Sequence, residues 1–435
     1  MQSPDSRKVK ILLLGYDDNR LNGHVHSHYQ KIPDSRFDKR MVVLYSLEGK
    51  KDYAFRARST NVWGRTWSYI GKGLTRLKNM LQYHTIILVN KKKPEYHFYG
   101  IDKRCDVTAY EILGKNPDFV PDVIALYWTS IFINSKIIRD LYDLTKAVIL
   151  FVFVDQAYLT GGCHYPNDCK GYMNGCLNCP ALSIGKRVAK RQMADKLKYW
   201  GNMPKIVYGV KSDCQMAMEA PLFKDAFFIP MIDVPEVPWT EYDNARHQWN
   251  IDENKFVILL GANNIDSPRK GVQYAISAIN KVAESNNNLC LLLLGKKDEN
   301  IVRKLNIRDN VKIIAPGFLS LEDLIMAFCA SDCHISPSIA DSGPMMVNYS
   351  IASGTPVIAF NIGVARDIVL HKETGYIAKY KDSDDISNGI DWLMHMDTEA
   401  KFVMRKRCRA LMEYQRTTQR PYYDEVYDYI VKNGR

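Results

Sequence analysis

Strand and helix patterns alternate twice along this chain, and a proline-rich break separates the two series. Short apolar runs at 10–14, 41–45, 123–128, 148–154, 206–210 and 226–229 read as buried strands. A helical pattern lies between two of them, around 135–144, and another covers 63–82. Pro230, Pro235 and Pro238 then end the first series. The second opens at 256–261 and continues with strands at 289–295, 311–315, 333–336 and 357–360. Helices are expected between them, near 321–330 and 345–353, and the tail 382–434 reads as mostly helical. Val272, Ile276, Ile279 and Ala283 recur at helical spacing along one face. Buried strands that alternate with helices imply parallel sheet made of βαβ units. The expected fold class is α/β: two facing Rossmann-like domains and a C-terminal helical tail, with ligands outside the carboxyl ends of the strands. The expected divisions are an N-terminal domain over 1–235, a connection over 236–254, a second domain over 255–415 and a C-terminal helix over 416–435.

At 435 residues the chain has room for two cores. No apolar run is long enough to span a bilayer. The polar stretch 1–10 lacks the apolar core of a signal peptide, so a cytoplasmic location is expected. Lys and Arg number 59 against 48 acidic residues, a formal charge of +11. Such an excess favours an anionic partner. Part of it lies with aromatic residues: Arg56, Arg58, Arg65, Lys72, Arg76 and Lys78 alternate with Trp63, Trp67 and Tyr69. Two readings stand, a solvated helix face or a surface resting on anionic lipid headgroups. No nucleic-acid-binding motif is present, and nucleic acid is not an expected partner.

Two segments of the second series suit phosphate. From Gly261 to Gly271 the chain leaves a strand and enters a helix, with Arg269 and Lys270 at the join. Free backbone N–H groups, a positive helix end and two cations together suit a diphosphate. The stretch from Ser336 to Pro344 likewise follows a strand and opens a helix. There the backbone near Gly343, Pro344, Met345 and Met346 faces a ligand, and Asp341 either accepts from a sugar hydroxyl or caps the helix.

Arg269-Lys270-Gly271, Pro316-Gly317-Phe318, the stretch Ser331 to Ser338, Ser353-Gly354-Thr355-Pro356 and Thr374-Gly375-Tyr376 occur in this order. In that order they resemble the retaining GT-B glycosyltransferases of family 4, closely over 256–380 and more loosely before it. The resemblance implies transfer of a sugar from a nucleotide-sugar donor to a glycan or lipid-linked glycan, with retention and with no catalytic divalent metal. It implies that Arg269 and Lys270 bind the donor diphosphate, beside Gly23, Gly317 and Phe318. Family members carry two glutamates with seven residues between them, and Asp341 and Tyr349 stand at those places here. The first keeps a carboxylate. The second offers a phenol that either bonds the ribose or packs. The setting implied is surface polysaccharide synthesis, at the inner face of the plasma membrane.

The first series holds a loop from Gly15 to His28 with a glycine, Gly23, and three alternate histidines, His24, His26 and His28. One or two of these are expected to face a cleft and the rest to be solvated. The family usually has a His-Asp pair after the strand at 148–154. Here that place reads Val154-Asp155, so Asp155 is present and the histidine is missing. A Thr160-Gly161-Gly162-Cys163-His164 loop follows, then Cys169, Cys176 and Cys179. Four thiols in so short a loop point to one tetrahedral soft-ligand site, zinc first and iron–sulfur second. His164 is then a spare ligand or faces the substrate. The other reading is an irregular loop of reduced thiols.

Overall fold

A computed structural model describes residues 7–18, 25–47, 49–50, 52–57, 96–98, 107–130, 132–182, 186–237, 242–262, 265, 267–295 and 303–433. The chain forms two compact units. The first comprises Met1–Gly209, Asp213–Pro230 and Arg420–Arg435; the second comprises Val210–Ser212 and Met231–Gln419.

The first unit contains a seven-stranded sheet of β1 (Val9–Asp17), β2 (Phe37–Ser46), β3 (Ala54–Ala57), β4 (Val123–Leu126), β5 (Val148–Val152), β6 (Lys205–Gly209) and β7 (Phe227–Pro230). The order is β3-β2-β1-β4-β5-β6-β7 and every pair is parallel. β4 and β5 are apolar throughout, as strands are when helices cover both faces of a parallel sheet. All five residues of β5, Val-Ile-Leu-Phe-Val, are buried. The helix Ser135–Thr145 shows why its segment stops and starts where it does. The Asn134 side chain accepts from Ile137 N–H at its start, and Lys146 ends it at φ 57°. Ile137, Ile138 and Leu141 are its buried stripe.

The second unit contains β8 (Phe256–Ala262), β9 (Leu289–Gly295), β10 (Lys312–Gly317), β11 (Cys333–Ser336), β12 (Val357–Phe360) and β13 (Gly375–Ala378). Their order is β10-β9-β8-β11-β12-β13, again all parallel. In β9 a leucine-rich run that would suit a helix is instead buried along its whole length between two neighbouring strands. In each sheet the strand order reverses once, between β1 and β4 and between β8 and β11. Crossovers leave such a point in opposite directions, which opens a crevice at the carboxyl ends of the two strands.

Three expectations differ from the structure. β3 and β13 are four-residue edge strands that the sequence pattern passes over. The segment 236–254 is not only a connection: it holds the helix Tyr242–Gln248, with Ala245 fully buried and Arg246 paired to Asp332 at 2.8 Å in the second unit. The tail divides at Gln419/Arg420. The long helix Thr398–Thr418 belongs to the second unit, where Met404, Cys408 and Met412 are buried. The helix Tyr422–Lys432 belongs to the first. There Tyr422 stacks on Tyr208 with ring centroids 4.5 Å apart, and its hydroxyl lies 3.1 Å from that of Tyr127. The helix expected over 63–82 lies outside the described residues.

The last helix is therefore expected to be part of the first unit's core. Tyr422→Ala should lower stability by about 3–5 kcal/mol, as truncation of a buried aromatic ring does. Tyr422→Phe should cost about 1 kcal/mol, the worth of one hydrogen bond. Urea unfolding checks both, and a wild-type midpoint for Tyr422→Ala would contradict the packing.

Candidate active site

The reversal between β8 and β11 brings two loops together. The first leaves β8 at Ala262 and ends in the 3-10 turn Pro268–Lys270, closed by Gly271 at φ 62°. The second leaves β11 at Ser336. A Cβ on Gly271 would lie 1.9 Å from the Pro337 carbonyl oxygen, so only glycine permits this approach. Ile339 N–H then donates to the Arg269 carbonyl at 2.7 Å. Gly363, at φ 50°, holds the far side: its Cβ would sit 2.4 Å from the Ser342 carbonyl oxygen, which accepts from Val364 N–H at 3.1 Å.

This backbone contact delivers three charges to one place. Arg269 NH1 donates to Asp341 Oδ2 at 2.9 Å, and Lys270 Nζ donates to the same oxygen at 2.5 Å. The three side chains are 17, 21 and 10% exposed in the order Arg269, Lys270, Asp341. Burial pushes the Asp341 pKa up, but Lys270 and Arg269 outweigh it and hold the carboxyl below its usual 3.8. Two cations on one carboxylate leave a net positive charge beside a helix start. That helix, Met345–Ala352, takes Pro344 as its N-cap and receives no side-chain cap, so Asp341 is not the capping residue. Behind the cluster, His334 on β11 is buried. Its own desolvation, then Lys270, bring its pKa down to about 3.

The other predicted donor residues are placed separately. Gly343, Pro344, Met345 and Met346 form the turn into the helix after Asp341. Gly317 ends the edge strand β10, which β9 separates from β8, and Phe318, next to it, is 65% exposed. Tyr349 is buried in an apolar cluster with Leu259, Leu292, Ile325 and Phe328. Gly23 lies outside the described residues.

In the first unit the loops after β4 and β5 meet. Asp155 Oδ2 lies 2.6 Å from His164 Nδ1, and its Oδ1 accepts from Ala157 N–H at 2.8 Å. Ser130 Oγ stands 3.3 Å from His164 Nε2. The Gly-Gly pair explains how His164 gets there. A Cβ on Gly161 would lie 2.3 Å from the Ala189 carbonyl oxygen, and Gly162 has φ 132°. Lys196 Nζ clamps the loop from the same helix, donating to the carbonyls of Ala157 at 2.6 Å and Thr160 at 2.8 Å. The sequence singled out both Asp155 and His164 but carries no signal that they pair across nine positions. Of the three early histidines, His24 lies outside the described residues and His28 is not solvated. His28 is buried against the rings of Tyr127, Tyr208 and Tyr422.

The four cysteines of the loop are close together. Cys163, Cys169, Cys176 and Cys179 line one small cavity beside Gly161 and Phe98. Among the described residues, however, no group of three or more His, Cys, Asp or Glu is disposed to hold a metal ion. This arrangement therefore lends the expected four-thiolate zinc site no support. Burial pushes the Cys163 thiol up to about 12 and the Cys176 thiol up to about 11. Protonated thiols of this kind pack as small apolar groups. Gly161 N–H donates to Cys176 Sγ and Gly171 N–H to Cys169 Sγ, each at 3.3 Å, which ties the loop together.

Two parallel Rossmann-like sheets with C-terminal helices are the architecture of GT-B glycosyltransferases, and solved structures bear this out. A glycosyltransferase from Rickettsia africae superposes with a TM-score of 0.58 at 16% identity, covering 98% of this chain and 100% of that one. Anabaena HepE in complex with UDP-glucose gives 0.55 at 14% identity, covering 93% and 95%. Residues 241–416 match the family described as Glycosyl transferases group 1. The phosphatidyl-myo-inositol mannosyltransferase of Mycobacterium leprae is 23% identical over 183 residues, 41% of this chain and 48% of that protein. The chain spans 39 to 49% of the length of the curated relatives it matches.

Asp341 has a defined pH signature. Its folded pKa is depressed, so its contribution is full above the unfolded value and is lost as pH falls through the folded one. Asp341→Asn should therefore destabilise the protein near neutral pH, by up to about 3 kcal/mol because both cations keep some water. That deficit should shrink as pH drops below 3.8, the ordinary value. Urea midpoints of wild type and variant along a pH series measure it; a pH-independent gap would count against the pairing.

Proposed function

We propose that this protein is a retaining glycosyltransferase of family 4 type. It moves a sugar from a nucleotide-sugar donor to a hydroxyl of a glycan or lipid-linked glycan. The observation that carries this reading is the cluster of Arg269, Lys270 and Asp341 at the strand-order reversal of the domain that matches the group 1 family. The bond that breaks joins the anomeric carbon to the donor diphosphate. The bond that forms joins that carbon to the acceptor oxygen on the same face, and the acceptor proton passes to the departing phosphate. The leaving group gains negative charge as it departs, and fixed cations in a partly dehydrated site stabilise it electrostatically. In the free protein Asp341 keeps both cations in place. An arriving diphosphate competes for them and releases the carboxylate to accept from a sugar hydroxyl. Gly343, Pro344, Met345 and Met346 offer the helix start to the same ligand.

HepE's complex with UDP-glucose supports a nucleotide-sugar donor. The mannosyltransferase of M. leprae, named for a phosphatidyl-inositol, supports a lipid-borne acceptor. We place such an acceptor at the inner face of the plasma membrane, in surface polysaccharide synthesis. Among the described residues no helix is long and apolar enough to cross a membrane, and the net charge of +11 suits peripheral contact with anionic lipid. A second reading, a non-catalytic scaffold that binds glycan or a partner enzyme, draws on two replaced places of the family: Val154 where a histidine is usual and Tyr349, which is buried, where a second carboxylate is usual.

A nucleotide-release screen across common sugar nucleotides, with and without lipid-linked glycans, separates the two. Turnover is the expected result. Arg269→Ala and Lys270→Ala should each lower it by about a hundredfold or more while circular dichroism stays native. Near-wild-type turnover in both variants would remove the phosphate assignment, and release with no donor at all would favour the scaffold.

A further inference from the structure

The first unit holds a buried polar constellation that the donor site does not use. Thr129 and Ser130 come from the loop after β4, and Asp155 and His164 from the loop after β5. β4 and β5 are neighbours, so these loops share the carboxyl edge of the sheet, where ligands of parallel sheets bind. His164 is 3% exposed and Asp155 6%. Next to them lies a cavity of about 60 Å³, lined by Thr129, Ser130, Asn134, His164 and Gln192 among others. That volume holds several waters or a sugar hydroxymethyl group, since one water needs about 10–15 Å³ measured the same way. Ile133 and Trp200 also line it, so a cavity at the sheet's ligand edge offers both polar groups and apolar surface, as a small-molecule site does.

The hydrogen bonds define what the imidazole offers to that cavity. Asp155 accepts from Ala157 N–H through one oxygen, and its other oxygen stands 2.6 Å from His164 Nδ1. Trp128 Nε1–H is also directed at that nitrogen as a donor, at 3.2 Å; the two contacts compete, because Nδ1 can accept from the indole only when it carries no proton for the carboxylate. The shorter, charge-assisted contact takes the Nδ1 proton. The second ring nitrogen, Nε2, is then the acceptor, and it lies on the side of Ser130 Oγ. The loop that presents it is held by Gly161 against the Ala189 carbonyl and by the Lys196 clamp.

We propose that this pocket binds a hydroxyl-bearing group of the sugar substrate, with His164 Nε2 accepting a hydrogen bond from its hydroxyl and Asp155 as the positioning residue that fixes the tautomer. The assignment rests on the glycosyltransfer reading. It gives a use to the Thr160–His164 turn that does not require a metal: the turn brings to Asp155 an imidazole that position 154, a valine, does not supply.

Two measurements on the full chain test it. The first is long-range proton–nitrogen NMR of histidine-labelled protein at mildly alkaline pH, with the His164 signal assigned by its loss in His164→Gln. Wild type should show the Nδ1–H pattern, and Asp155→Asn should convert it to Nε2–H. An Nε2–H pattern in the wild type would overturn the proposal even with no substrate in hand. The second is nucleotide release at varied acceptor and donor. His164→Ala should lower kcat/KM by about ten- to a hundredfold, the loss of one hydrogen bond in a buried site, His164→Gln should recover part of that loss, and binding of nucleoside diphosphate alone should be unchanged. Wild-type kinetics in His164→Ala would overturn the pocket and leave the glycosyltransfer reading standing. No turnover by wild type with any donor would overturn both.

Discussion

Two loops of the second unit touch backbone to backbone at Gly271 and Pro337, and its charge site depends on that contact. The missing side chain at Gly271 lets the turn after β8 lie against the loop after β11. The Arg269 carbonyl then takes the Ile339 N–H, and the register of that bond decides which residues face one another. Arg269 and Lys270 are left opposite Asp341 and not opposite water. A carboxylate bonded to two cations in a partly dehydrated place is stable as an ion, and the site keeps a residual positive charge for an anion to find. A methyl group at position 271 would separate the loops and scatter the charges.

The same economy operates in the first unit with different residues. Gly161 lies where any Cβ would strike the Ala189 carbonyl, and Gly162 adopts a backbone conformation that other residues rarely reach. The loop that results is compact enough for Lys196 to bond its carbonyls and for His164 to reach Asp155. Both sites lie where loops leave the carboxyl ends of neighbouring parallel strands. Helices on both faces make that edge the natural opening of such a sheet.

The long apolar strands were legible in the sequence because burial on both faces leaves them without polar residues. β5 and β9 are examples. The short edge strands β3 and β13 were not, because four residues with one neighbour carry too little pattern. Arg269, Lys270 and Asp341 were legible as candidates through their place between a strand and a helix. Their mutual pairing was not, since positions 269 and 341 are joined only by folding. The four cysteines show a related limit. Spacing along a loop says that thiols are near one another, but not that their sulfurs converge on one point.

By itself the sequence determined the class of this protein: two α/β series, a break between them, and cations with a carboxylate at strand-to-helix joins. These follow from local patterns, since burial and turn chemistry act over a few residues. Only the tertiary structure decided that Asp341 binds both cations and caps no helix, that Tyr349 packs in the core, that the last helix returns to the first unit, and that His164 meets Asp155. Each of those outcomes depends on which distant backbone segments approach within a few ångströms. At Gly161 and Gly271 that approach is set by the absence of a side chain, which a sequence shows only as a glycine.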